Sequence, residues 1–329
     1  MEALGIRTID SETGESIRQL LERDSREPIW SPDGSRVAFA RGYENNLEIW
    51  VVDRHGRDAT RLTKNHKLDE WPSWAPDSAR LVVERYDVDD PSYDNELFVV
   101  RADGSGRHRI TDNEVDDVCP SWQPGGRRIA FHRRGSNDIY TIRANGERER
   151  QITSGPDWDA GPIWAPDGQA ILFRRRVQPI DNPAPPVPVA QHDLFVVSKD
   201  GTELTRITDT ADLEAVYGWS PDGNWIAFVV ASSDRSNSSL WVIRLDGTEA
   251  RELVSNLGRS YEGVSPTWSA DSSRILHTRS SETARNSPRV DVWTINVDGS
   301  GERALGPTRD AHESSPDWYG SPQECAGAY

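Results

Sequence analysis

The sequence has few of the features by which several common classes of protein are recognised. Only two cysteines, Cys119 and Cys325, occur in 329 residues, so the chain has no disulfide framework, and we expect both thiols to be unpaired, with a Cys119–Cys325 bond as the alternative. No run of residues approaches the roughly 18 apolar positions of a membrane-spanning helix. Residues 1–10 lack the charged, apolar and small-residue regions of a signal peptide. These absences predict a protein that does not insert into a membrane.

Sequence motifs of common enzymes are also missing. The seven histidines include no HExxH pair, and the chain contains no Gly-x-Ser-x-Gly nucleophile elbow. Nothing in it resembles a phosphate-binding loop. The sequence therefore gives no direct indication of a catalytic centre.

Positive charge is scarce. The chain has 54 aspartates and glutamates but only 38 lysines and arginines, which gives a formal net charge of −16. This balance argues against nucleic acid or an anionic membrane as a partner, and it favours cations or basic polypeptide segments. Apolar residues make up 35% of the chain. The mean hydropathy of −0.71 is low for a helical core, and thirteen tryptophans instead favour thin apolar layers between small sheets.

What the chain does contain is a repeat. The motif Trp-Ser-Pro-Asp-Gly at 30–34 returns in variant forms, and successive copies lie roughly 42 to 55 residues apart, a period typical of propellers and solenoids. After the Pro-Asp-Gly turn come an apolar triplet, a β-branched strand, an Asp-Gly hairpin and a short Leu-Thr or Ile-Thr strand. Each unit is therefore predicted to be a four-stranded antiparallel blade. The tryptophans of the copies are Trp30, Trp74, Trp122, Trp164, Trp219, Trp268 and, in an incomplete copy, Trp318.

The pattern Pro-x-Trp-Ser-Pro-Asp-Gly, apolar triplet, strand, Asp-Gly and Leu-Thr resembles the WD40-like PD40 repeats of the TolB propeller family. The resemblance covers nearly the whole chain and implies an all-β β-propeller of four-stranded antiparallel blades. It also implies a binding or scaffolding role, because TolB-family proteins receive partner segments at the mouth of the central channel. Propellers host many functions, so the repeat alone does not choose among them.

The two ends of the chain are predicted to complete one blade together. Residues 6–10 and 16–20 resemble third and fourth strands without a first, whereas 316–318 resembles a first strand with little after it. We therefore expect a single domain, 1–329, with seven blades and a ring closed by strands from both termini; six blades or an open ring are the alternatives. The shared closing blade would comprise 1–25 and 308–329, and the six full repeats begin near 28, 72, 120, 162, 217 and 266.

A carboxylate stands five or six residues before the repeat tryptophan in every copy, which predicts an acidic ring at the mouth of the channel. Such a ring could hold a cation through oxygen ligands or receive a basic peptide. Aromatic residues in the same loops could anchor a partner. The candidate binding residues are Asp69, Trp71, Asp117, Trp158, Asp159, Asp212, Glu214, Tyr217, Tyr261, Glu262 and Glu313.

A structural role competes with binding at these carboxylates. Arginines stand eleven residues after the tryptophan in most repeats, where antiparallel pairing would bring them opposite the carboxylates as ion pairs. In the fifth repeat Glu214 faces Val230 instead, which makes Glu214 the better functional candidate. The predicted pairs are Asp69–Arg85, Asp117–Arg133 and Asp159–Arg175.

An acid-dense loop offers a candidate metal site. Asp87, Asp89 and Asp90 could bind calcium. The loop lacks the glycine and the spacing of an EF-hand, so a solvated loop is the alternative interpretation.

Together these features predict a monomeric, non-catalytic binding or scaffolding propeller that takes a basic peptide, a protein partner or a cation at the acidic channel mouth. The alternative is a propeller enzyme, a lyase or hydrolase with a metal and carboxylates in the same funnel. If Met1 is the native start, we expect a cytoplasmic protein. If Met1 replaces a trimmed leader, we expect a periplasmic or secreted one.

Overall fold

The structure, a computed structural model, describes residues 6–9, 16–21, 25–43, 46–65, 67–86, 94–177, 191–209, 213–232, 237–258, 266–281 and 289–305. These ranges consist of β-strands, turns and irregular connections, as predicted for an all-β chain. They include no helix of the length and apolar character needed to cross a membrane.

Six four-stranded antiparallel units follow one another along the described chain, and we number them blades one to six. An antiparallel pair, β1 (Ile6–Ile9) and β2 (Ser16–Leu21), precedes them. The blades are β3–β6 (Ser25–Trp30, Arg36–Tyr43, Asn46–Asp53, Thr60–Arg61), β7–β10 (Leu68–Trp74, Arg80–Tyr86, Asn95–Arg101, His108–Arg109), β11–β14 (Asp117–Trp122, Arg128–Arg133, Asp138–Arg143, Arg150–Gln151), β15–β18 (Trp158–Trp164, Ala170–Val177, Gln191–Ser198, Leu204–Arg206), β19–β22 (Leu213–Trp219, Trp225–Ala231, Ser238–Arg244, Arg251–Val254) and β23–β26 (Thr267–Trp268, Arg274–Ser281, Arg289–Asn296, Arg303–Ala304).

The Pro-Asp-Gly turn reverses the chain between the first and second strands of a blade. In blade one the Gly34 N–H donates to the Ser31 carbonyl at 2.8 Å, and Gly34 adopts a φ of 63° that glycine accepts without strain. Asp33 Oδ1 accepts hydrogen bonds from Ser31 Oγ at 2.6 Å and from Ser35 N at 3.0 Å. The residues of the motif thus stabilise the turn that they form.

A threonine just after the fourth strand of blades one to four holds this short strand against the third. In blade one Thr63 Oγ1 accepts a hydrogen bond from Ile49 N at 2.9 Å. A two-residue strand makes few ladder bonds, so this side-chain acceptor adds a contact that the backbone does not supply. The same bond recurs at Thr111, Thr153 and Thr208.

The hydrophobic core lies largely between the blades. One cluster joins Ile49 and Leu62 of blade one to Trp74 and Val100 of blade two, all of them buried. The Trp74 indole Nε1–H also donates to the Ile29 carbonyl of blade one at 3.3 Å. Each blade therefore depends on its neighbour for burial of its apolar face. Equivalent indole bonds to the preceding blade come from Trp122, Trp219 and Trp268.

The predicted closing blade lies only partly within the described residues. β1 pairs with β2, with Ile6 opposite Leu21, and β1 lies close to β3. Residues 306–329, which include the predicted last first strand, lie outside the described residues. The ring of seven blades closed by both termini therefore stays a prediction.

Candidate functional site

The predicted ion pairs between first and second strands are present in blades two, three and four. Asp69 lies opposite Arg85 in the β7–β8 ladder, and the guanidinium Nε and Nη2 donate to its two oxygens at 2.6 and 2.9 Å. The Asp69 side chain is fully buried, and Asn65 Nδ2 donates to it at 2.7 Å. The equivalent two-bond pairs are Asp117–Arg133 and Asp159–Arg175.

These carboxylates also tie one blade to the next. Asn65, whose side chain binds Asp69, donates its own N–H to Glu48 Oε1 of blade one at 2.6 Å. Arg61 Nη2 donates to the same oxygen at 2.7 Å. Because the Asp69 oxygens are buried and already bonded, this arrangement favours the structural role over direct contact with a partner. The same contacts one blade further along involve Arg109, Glu96, Asn113 and Asp117.

A bulge bends the first strand of several blades just before the repeat tryptophan. In blade two the ladder register shifts between Glu70 and Ser73, and Trp71 inside the bulge has a φ of 49°. The first strands of blades one to four contact one another in succession, so these bulges line the channel of the propeller. The residues with positive φ at this position are Glu27, Trp71, Cys119 and Gly161.

Three glutamates come together at these bulges, and we call Glu27, Glu70 and Glu84 the glutamate wall. Glu70 and Glu84 lie opposite each other in the β7–β8 ladder, so their side chains lie on one face of blade two. Glu27 Oε2 accepts a hydrogen bond from Trp71 N at 3.0 Å, and Glu84 Oε1 accepts one from Cys119 N at 2.8 Å. Each of these two carboxylates therefore binds a bulge N–H of the following blade.

The electrostatics of the glutamate wall favour uptake of positive charge. Burial raises the pKa of Glu84 to about 8 and that of Glu27 to about 7, and the backbone hydrogen bonds offset burial only in part. Repulsion from Glu70 raises both values further. Burial also raises the pKa of Glu70, whose Oε1 lies 3.9 Å from Arg26 Nη2. The wall can therefore bind a proton or a cationic group near neutral pH.

A second polar group lies in blades three and four. His132 occupies the repeat position that Glu84 has in blade two; it is buried, and its ring meets that of Trp158 edge-on at 5.5 Å between centroids. The Trp158 ring also lies 5.5 Å from the His192 ring and 5.1 Å from the Arg174 guanidinium carbon. Burial, together with nearby arginines, lowers the pKa of His132 to about 3. The group thus combines a half-buried indole, Trp158, with a neutral imidazole.

The remaining candidate residues are placed only in part. Trp71 is half-buried at its bulge. Glu214 and Tyr217 belong to β19, where Glu214 lies opposite Val230 as predicted, but their side chains are outside the described part of the structure. Among the described residues, no three His, Cys, Asp or Glu side chains converge to hold a metal ion. The candidates that lie outside the described residues are Asp87, Asp89, Asp90, Asp212, Tyr261, Glu262 and Glu313.

Cys119 departs from the expectation that both thiols are unpaired. It is one half of a disulfide bond, and its side chain is buried. A disulfide requires Cα atoms within about 7 Å, and separation along the sequence does not reveal that distance. The expectation for Cys119 was therefore wrong for a reason that only the folded chain supplies.

The glutamate wall could not be inferred from the carboxylate five residues before the tryptophan, because Glu70 and Glu27 stand four and three residues before it. One signal was nevertheless present in the sequence. Glu84 interrupts an apolar second strand at a position that is Ala40 in blade one and Val229 in blade five. An acidic residue inside such a strand is rarely fully buried without a reason.

Comparison with curated proteins shows that a short stretch of this chain is similar in sequence to TolB. No family model matches the sequence. A segment of 53 residues is 36% identical to the Tol-Pal system protein TolB of Anaeromyxobacter dehalogenans, and it covers 16% of this chain and 12% of that relative. The match is thus about one repeat long and spans a small part of the relative's length.

Solved structures match over most of the chain. A structure assigned as TolB from Agrobacterium tumefaciens gives a TM-score of 0.57 at 20% identity, covering 78% of this chain and 90% of that one. Oligogalacturonate lyase from Vibrio parahaemolyticus gives a TM-score of 0.69 at 14% identity, covering 94% and 86%. At these identities the likeness establishes the fold and leaves the choice between binding protein and enzyme open. The chain is therefore an all-β propeller, and about one repeat length of its sequence is similar to TolB.

Proposed function

We propose that this chain is a non-catalytic binding propeller in which the glutamate wall receives a positively charged group of a protein partner. The observation that carries the proposal is the convergence of Glu27, Glu70 and Glu84 at the channel, where the Arg26 guanidinium lies 3.9 Å from Glu70. A lysine or arginine side chain entering the channel would pair with these carboxylates in their charged forms. The TolB relative is named as a protein of the Tol-Pal system, which agrees with a protein partner.

Burial makes such binding sensitive to protonation. With pKa values of about 7 and about 8, Glu27 and Glu84 hold protons near neutral pH when no cation is present. A bound cation favours the charged carboxylates and lowers their pKa, so binding releases protons. We therefore expect affinity to rise between about pH 6 and about pH 9. Calorimetry in two buffers of different ionisation enthalpy measures the number of protons released.

Fluorescence anisotropy with a labelled arginine-rich peptide tests the site directly. We expect Glu84→Gln and Glu27→Gln each to weaken binding by about tenfold, or about 1.4 kcal/mol, because each removes one charge that faces the cation. Glu114→Gln is the matched control, since it removes the same charge from an exposed bend outside the wall. Equal weakening in all three variants, or no binding of the peptide to the wild-type protein, would refute the proposal.

An enzyme is the alternative function, and His132 is the observation that favours it. His132 is fully buried, and neither ring nitrogen has a hydrogen-bond partner among the described residues. Unsatisfied buried polar atoms are uncommon and occur at catalytic sites among other places. One of the similar structures is a lyase. Incubation with oligogalacturonate, with and without a divalent metal, tests for an unsaturated product by ultraviolet absorbance; turnover that His132→Ala abolishes would favour the enzyme.

A further inference from the structure

Arg176 occupies a repeat position at which blade three contains an ion pair. In blade three Arg134, twelve residues after the repeat tryptophan, donates from Nη1 to Asp116 Oδ2 at 3.0 Å. In blade four Arg176 stands at the arginine position and Trp158 at the aspartate position, and the two lie opposite each other in the β15–β16 ladder. Blade four therefore keeps the arginine but has an indole where its partner carboxylate would be.

Acids next in sequence to the ladder partners of Arg176 are bound to other arginines. Asp157 lies 3.7 Å from Arg175, and Asp193 contacts Arg206. Within the part of the chain that the structure describes, no carboxylate pairs with the exposed Arg176 side chain. Its guanidinium can therefore bind a carboxylate that comes from outside the chain.

Aromatic rings flank Arg176 on both sides of its strand. Trp158 lies opposite it on β15 and His192 on β17, and the two ring centroids are 5.5 Å apart. Both rings are half-buried, so each presents part of its surface to solvent. The buried Arg174, on the same face of β16, places its guanidinium carbon 5.1 Å from the centre of the Trp158 ring. The group thus adds two positive charges to an indole surface that solvent reaches.

We propose that Trp158, Arg176 and His192 form a subsite for a carboxylate of the same peptide segment whose cationic group binds the glutamate wall. This carboxylate would take the place that Asp116 has beside Arg134 in blade three, and the guanidinium would bind it by charge-assisted hydrogen bonds. The net charge of −16 disfavours a polyanion, so a single carboxylate within a cationic segment fits the protein better. The inference deepens the proposed function and rests on it.

Fluorescence anisotropy with three versions of the arginine-rich peptide tests the subsite and the source of the carboxylate. The first ends in glutamine with a free C-terminal carboxylate, the second is the same peptide amidated, and the third is amidated with glutamate in place of the glutamine. We expect the wild-type protein to bind the first or the third about fivefold more tightly than the second. The preferred version shows whether a chain terminus or an acidic side chain supplies the carboxylate.

Two variants of the full chain assign this preference to one arginine. Arg176→Gln should bind all three peptides equally. Arg134→Gln is the matched control and should keep the preference, because Arg134 already has its carboxylate partner in Asp116. A preference that Arg176→Gln retains would overturn the subsite.

A probe without a cationic group separates this inference from the proposed function. N-acetylglycine should shift the NMR signal of the Trp158 indole N–H, which is identified by its absence from Trp158→Phe, whereas N-acetylglycinamide should not. If Arg176→Gln abolishes this shift but none of the peptides binds the wild-type protein, the subsite stands and the proposed function fails. Equal binding of the three peptides, with no shift by N-acetylglycine, would overturn the subsite and leave the proposed function in place.

Discussion

Replacing Glu84 by glutamine should stabilise the folded protein at alkaline pH. Glu84 is 6% exposed, and burial raises its pKa from 4.5 to about 8. Between these two values the folded state binds a proton that the unfolded state has released. The free energy of unfolding therefore falls as pH rises from about 4.5 to about 8, because stability falls with pH wherever the folded state binds more protons.

The size of the effect follows from the shift in pKa. One pKa unit corresponds to about 1.4 kcal/mol, so Glu84 should lower the stability of the wild-type protein by up to about 5 kcal/mol across this range. Glutamine keeps a side-chain oxygen for the hydrogen bond from Cys119 N and carries no charge. Glu84→Gln should therefore match the wild-type protein at about pH 4 and exceed its stability by several kcal/mol at about pH 9.

Urea unfolding followed by tryptophan fluorescence, at a series of pH values, measures this difference. Contributions from titrating groups that do not interact with Glu84 cancel when the two proteins are compared at each pH, whereas those of Glu27 and Glu70 are coupled to it. Glu114→Gln is the control, because Glu114 is exposed and its removal should give a difference that stays flat with pH. A variant less stable than the wild-type protein at pH 9, or a difference independent of pH, would refute the reasoning that burial dominates at Glu84.

Two other sites give predictions that the same unfolding experiment tests. Arg85→Met should destabilise the protein by about 3 to 5 kcal/mol, because it leaves the buried Asp69 carboxylate without its partner. Arg143→Met, which removes the exposed contact with Glu147 at 4.0 Å, should cost less than about 1 kcal/mol, and equal losses would contradict the assignment. At His132, burial lowers the pKa from 6.5 to about 3, so the unfolded chain binds the extra proton and the wild-type protein should lose about 3 kcal/mol of stability from this residue between about pH 6.5 and pH 4. His132→Asn should remove this loss, and an acid profile that stays unchanged would contradict it.

The sequence predicted those parts of the fold that a repeat forms from its own residues. The Asp33 turn and the bond from Ile49 N to Thr63 are local, so the motif that makes them recurs with the repeat. The Asp69–Arg85 pair follows from counting residues on either side of one turn, since antiparallel pairing fixes which positions meet. Periodicity therefore sufficed for the blades and for three of their ion pairs.

The glutamate wall depends on geometry that the repeat does not encode. Glu27 reaches Trp71 and Glu84 reaches Cys119 only because bulges in the next blade turn a backbone N–H towards them. A bulge shifts the register by one residue, and so it changes which side chains face the channel. Glu27 in blade one also interacts electrostatically with Glu70 in blade two. The spacing of residues within one repeat does not predict a contact between two blades. The disulfide at Cys119 was missed for the same kind of reason.

Energetics argue that the wall is more than a by-product of the fold. The position of Glu84 holds Ala40 and Val229 in blades one and five and a polar residue in blades three, four and six, so packing there does not require a carboxylate. A buried carboxylate that destabilises by up to about 5 kcal/mol is a large fraction of the roughly 5 to 15 kcal/mol by which domains are stable. Glu27 adds to this, since burial raises its pKa in the same direction beside the same neighbours. Destabilisation of this size by buried carboxylates is typical of binding and catalytic sites, where a ligand supplies the missing interaction. A cation held between Glu27 and Glu84 would remove the penalty by pairing with the charged forms, and so the stability of the fold would become coupled to occupancy of the channel.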